Sequence, residues 1–122
     1  METLFNTFWV SVLGKEDAAN YIWLLWNTST SILSGSNPFF TNLLFSPFGT
    51  SLTFDAPILN TIISLPIFLC CGAIASYNFL VILSFLGTFV GFYLFFNLLS
   101  NSKNASLIGA SLITFSAYRL TF

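Results

Sequence analysis

Few side chains in this sequence can do acid–base chemistry. Glu16 and Asp17 stand side by side, and Asp55 stands alone. A carboxylate can take the proton of a weak nucleophile such as a hydroxyl, or hold a divalent cation beside it. Each acid also has a structural use. Glu16 and Asp17 precede a helical segment at 18–34, whose dipole favours anions at its start. Asp55 lies two residues before Pro57, in the pattern of an N-cap with a first-turn proline. Capping and chemistry therefore both stand open for Asp17 and for Asp55.

Other chemistries lack their residues. There is no His, the commonest metal ligand. Cys70 and Cys71 are adjacent within an apolar run, which is neither a zinc spacing nor a redox C-x-x-C. No Gly-rich phosphate loop and no Ser/His/Asp set is present. With three Lys and Arg residues and no basic patch, a nucleic-acid partner is not expected. Asn27-Thr-Ser29 and Asn104-Ala-Ser106 match the glycosylation sequon, but both fall in or beside apolar helices and are read as chance.

The elements that must position the acids are apolar. Hydrophobic residues make up 56% of the 122 residues and charged ones 6%, against about 25% charged in a soluble domain. No charge occurs between Asp55 and Lys103, a stretch more than twice the ~20 residues that cross a bilayer. The expected fold is all-α, an integral membrane helical bundle with interfacial helices, solvated by the lipid bilayer.

Five segments follow from the pattern. A short first helix covers 1–14, too short to span and without the basic start of a signal peptide. An external loop covers 15–55. Within it lies an interfacial helix at 18–34, where Asn20, Asn27, Thr30, Ser31 and Ser34 form a polar stripe and Trp23 and Trp26 suit the headgroup level. Residues 35–55 read as irregular, and unpaired backbone cannot sit in lipid, so this stretch must lie outside the hydrocarbon or inside protein. A juxtamembrane or partly inserted helix at 56–72 should kink at Pro66 and end at Gly72. Spanning helices follow at 75–100 and 104–122. Gly87 and Gly91 form a G-x-x-x-G pair, matched by Ala105 and Gly109, which predicts that the last two helices pack through these small residues. Lys103, in the turn between them, favours the cytoplasmic side and leaves the acidic loop outside.

The order of these features resembles the N-terminal part of bacterial multi-pass membrane proteins of the GT-C glycosyltransferase class. The residues that carry the resemblance are Asp17-Ala-Ala-Asn-Tyr-Ile-Trp-Leu-Leu-Trp26, Gly35-Ser-Asn-Pro-Phe-Phe-Thr-Asn-Leu-Leu-Phe45 and Pro47-Phe-Gly49. It continues in Pro57-Ile-Leu-Asn60, Leu65-Pro66, Tyr77-Asn78 and Ser116-Ala-Tyr118. Ser-Ala-Tyr departs from the pattern of that class, which has a proline in the middle. The resemblance implies a sugar transferase that uses a polyprenyl-phosphate-linked donor in a bacterial plasma membrane. It implies an acid in the first external loop, at Asp17 here, which orients or deprotonates the acceptor hydroxyl. Glu16 would assist it. Asp55, Trp23, Trp26 and Asn20 would line the substrate side. A divalent metal, Mg or Mn, would sit at Asp17 if the reaction uses one. It also implies that this chain is a fragment whose partners are further helices of the same or another chain.

Two other readings compete. A small structural or accessory membrane protein would use Gly87 and Gly91 to pack and would need no acid. A transporter piece ranks last, because paired intramembrane charges and internal repeats are missing from the sequence.

Overall fold

The computed structural model describes residues 17–100 and 102–116. Glu16, the expected helix at 1–14 and residues 117–122 lie outside the described residues. Element order is α1 (Ala18–Ser34), β1 (Phe40–Thr41), β2 (Thr50–Ser51), α2 (Ile58–Ser100) and α3 (Lys103–Thr114). Helices dominate, and a small antiparallel hairpin interrupts them. The chain divides into two compact units, Met1–Leu80 and Val81–Phe122.

In the first unit α1 ends as a left-handed glycine dictates. Gly35 has φ 68°, its N–H reaches the Ile32 carbonyl, and the Ser36 N–H reaches the Ser31 carbonyl at 2.9 Å. Those two bonds form a Schellman cap. The stretch read as irregular then forms the hairpin, with Phe40 opposite Ser51 and Thr41 opposite Thr50. Side chains help to set it: Asn37 Oδ1 accepts the Phe39 N–H at 2.9 Å, and Thr41 Oγ1 accepts the Leu43 N–H at 3.2 Å. Ser46–Pro47 is a cis peptide. Gly49 closes the turn with φ 72°, and a Cβ there would lie 2.6 Å from Asn42 Oδ1 and 2.8 Å from the Thr41 carbonyl oxygen.

Helix α2 holds two arms. Its backbone is non-helical at Gly72, with φ 86° and ψ −175°, a region open essentially to glycine alone. Nothing lies within 4 Å of the Cβ position at Gly72, so the requirement there is conformational and not steric. The break falls at the glycine, while Pro66 keeps helical angles; the proline only removes one N–H from the ladder. The arm before the break, residues 58–71, is about 21 Å long and the arm after it, residues 73–100, about 42 Å, at 1.5 Å per residue. The hydrocarbon core is ~30 Å thick, so the first arm is too short to cross it alone and the second is long enough. Among the described residues α2 is the helix long and apolar enough to cross a membrane, and none of its most apolar window is buried inside the protein.

In the second unit α3 packs on residues 81–100 of α2. Gly109 is the contact: a Cβ on it would approach Phe96 Cδ2 to 2.9 Å. Phe85 stacks on Phe115 with centroids 6.4 Å apart, and Ser100 and Ser106 hydroxyls meet at 3.4 Å. The predicted pairing of these helices is present, but Gly87 and Gly91 do not make it. Both have open space where a Cβ would be. Phenyl rings fill the α2 side of the contact, so only the α3 glycine is needed for close approach. The expected span at 104–122 is helical from Lys103 to Thr114, where Phe115 caps it.

Burial is inverted relative to a water-soluble protein. Among the described residues six apolar side chains are buried and ten polar ones. Large apolar groups such as Leu86, Val90, Leu94, Leu98, Leu107 and Leu112 are exposed. Asn27, Thr28, Ser29, Thr61, Ser64, Ser76 and Asn78 are inside the first unit.

Candidate functional site

Asp17 occupies the N-cap position of α1, with φ −86° and ψ −8°. Its carbonyl starts the helix by accepting the Tyr21 N–H at 3.0 Å. Its carboxylate makes no capping hydrogen bond and is exposed. The side chain is therefore not consumed by the helix end, although the charge still benefits from the dipole.

One turn along, Tyr21 is held from two sides. Its phenol oxygen accepts a hydrogen bond from Asn60 Nδ2 in the first turn of α2. Its ring lies 6.0 Å from the ring of Tyr77 at 60°. These contacts tie the start of α1 to both arms of α2, so Asp17 sits one helical turn, ~6 Å in rise, from an anchored side chain. Asn20, also near the helix start, is exposed. Trp23 is half-buried and Trp26 exposed. Asn27 is buried lower on α1, where its Oδ1 accepts the Thr41 hydroxyl of the hairpin at 3.4 Å. That burial removes it as a glycosylation acceptor.

Asp55 is not the N-cap of α2. It lies in a turn, its N–H on the Leu52 carbonyl at 3.0 Å, and α2 starts at Ile58. The first carbonyl of the α2 ladder belongs to Pro57, which accepts the Thr61 N–H at 2.8 Å. Proline so placed stands two positions earlier in the helix than the sequence pattern suggested. The turn at Leu52–Asp55 takes up the residues expected to begin the helix. Asp55 is exposed, five residues before Asn60.

A shallow groove of about 290 Å³ lies elsewhere, against Gly87, Thr88, Gly91, Phe92 and Phe95, and neither acid lines it. Glu16 lies outside the described residues. Among the described residues no three His, Cys, Asp or Glu side chains gather as metal ligands.

The sequence pointed to the acid and the Trp residues but not to the Tyr21–Asn60–Tyr77 cluster. The available signal was a phenol and an amide recurring on otherwise apolar helices, where a polar group needs a partner. No protein-family profile, curated protein or solved structure matches this chain.

Proposed function

We propose that the chain is a membrane-embedded part of a glycosyltransferase that transfers a sugar from a polyprenyl-phosphate donor to an acceptor hydroxyl. The reading rests on one observation: Asp17 presents a carboxylate that caps nothing, on a helix start anchored through Tyr21 to Asn60 and Tyr77. The resemblance to GT-C enzymes runs through these same residues. The meeting of Tyr21 with Asn60 and Tyr77, which are far apart in sequence, supports it.

The acceptor oxygen attacks the anomeric carbon as the bond from that carbon to the donor phosphate breaks. Asp17 takes the hydroxyl proton, and the polyprenyl phosphate leaves with the bonding electron pair. A sugar or lipid hydroxyl is a weak nucleophile at neutral pH, which is why a positioned base matters. Asp55, Asn20, Trp23 and Trp26 are the groups available to orient the substrates, and Glu16 adjoins the base. A bound Mg²⁺ or Mn²⁺ at Asp17 would neutralise charge on the donor phosphate. The membrane is the bacterial plasma membrane in this proposal, with Asp17 on its outer side.

The test is sugar transfer from a radiolabelled polyprenyl-phosphate donor by membranes carrying the protein that contains this chain. Asp17→Asn keeps the shape and removes the base. Transfer should fall by ~10²–10⁴-fold, the usual worth of a general base. Unchanged transfer removes Asp17 from the mechanism.

A further inference from the structure

The hairpin carries a surface that the transferase reading does not use. Every residue from Asn42 to Phe48 is exposed, and Phe45 and Phe48 are 79% and 86% accessible. Leu43 and Leu44 accompany them. An aromatic residue of this size normally buries most of its area, and exposed apolar clusters mark contact surfaces. Phe45 also adopts φ 54°, a left-handed conformation that bulky residues rarely take. Among the described residues none covers the Phe45 ring.

We propose that the hairpin tip is a wedge inserted into the lipid surface, with Phe45, Phe48 and Leu43 in the upper acyl region. The proposal rests on the membrane reading above. Three observations favour lipid over a protein partner. No charged residue occurs from Ala18 to Phe54, and a hydrocarbon contact is the one that needs none. A short turn after the hairpin leads into the apolar helix α2, which is long and apolar enough to cross a membrane. The backbone is largely provided for: the β1–β2 pairing, Phe48 N–H and Gly49 N–H to the Phe45 carbonyl, and Pro47 with no N–H to satisfy. Peptide groups not so paired keep the backbone at headgroup level, so side chains and not the loop itself enter the hydrocarbon. Interfacial elements settle at this depth.

Site-directed spin labelling in phosphatidylcholine vesicles tests the wedge. The exposed Cys70 and Cys71 are first changed to Ala. Labels are then placed by Phe48→Cys at the tip, Asn37→Cys at the hairpin base and Leu86→Cys on α2. Collision rates with oxygen, which concentrates in acyl chains, and with a water-soluble nickel chelate report depth. Oxygen should exceed nickel at positions 48 and 86 and fall below it at position 37. Phe45→Cys gives a second reading of the tip should the first variant misfold. Nickel access at the tip equal to that at position 37 overturns the wedge, and so does a tip closed to both reagents, which means a protein cover. If position 86 is lipid-exposed while the tip is wet, only the wedge fails. If position 86 is wet too, the membrane reading fails with it.

Discussion

At the scale of single residues, Asp17 carries the account. It was legible in the sequence as an acid ahead of a helix, with capping and chemistry both open. The structure narrows this: the carboxylate holds the N-cap position without capping. Asp55 offered the same two uses and lost its capping role, because its segment folds into a turn before α2 begins. Local sequence could not foresee that, since an Asp two residues before a proline reads equally well as a cap or as a turn. Tyr21 is the residue whose importance was hidden. Tyr21→Phe removes one phenol–amide hydrogen bond and should lower stability by about 0.5–1.5 kcal/mol, seen as a reduced Tm in detergent. An unchanged Tm means that the Tyr21–Asn60 bond does not anchor α1. The ring contact with Tyr77 survives that substitution, so Tyr21→Ala should cost more.

At the scale of elements, glycines decide where the chain turns. Gly72 was readable as a helix end, and its backbone angles explain why only glycine serves. Gly72→Ala should destabilise the protein by about 1–3 kcal/mol, by straining or straightening the junction of the two α2 arms. Circular dichroism and thermal denaturation in detergent check it; a Tm equal to the parent's contradicts the break. The hairpin was not legible. Its strands are two residues each and show no apolar alternation, so the pattern that reveals strands is missing. Side-chain bonds from Asn37 and Thr41 and the crowding around Gly49 hold it instead. The helix pair of the second unit shows a different lesson. G-x-x-x-G at Gly87 and Gly91 is a stronger sequence signal than Gly109, yet Gly109 makes the contact. A spacing says which residues share a face and not which face is used. Gly109→Val should cost about 1–3 kcal/mol by driving into Phe96. Gly87→Ala should be neutral or stabilise the helix by up to ~1 kcal/mol. The opposite order in Tm contradicts the packing described for α3.

At the scale of the whole molecule, the proposed membrane setting makes solvent the organising force. Six per cent charge leaves too little polar surface to cover a globule in water. The fold meets that shortage by placing Thr28, Thr61, Ser64 and Asn78 inside and Leu and Phe side chains outside. Composition made the apolar character plain, and the length of the second α2 arm agrees with a bilayer crossing. Everything proposed for Asp17 depends on this setting, since a lipid-linked donor reaches the acid only if the chain resides in the membrane. Alkaline carbonate extraction of membranes from cells that express the chain tests it most directly. The account predicts that the protein stays in the membrane pellet and leaves it only in detergent. Release into the carbonate supernatant as a folded monomer would contradict it.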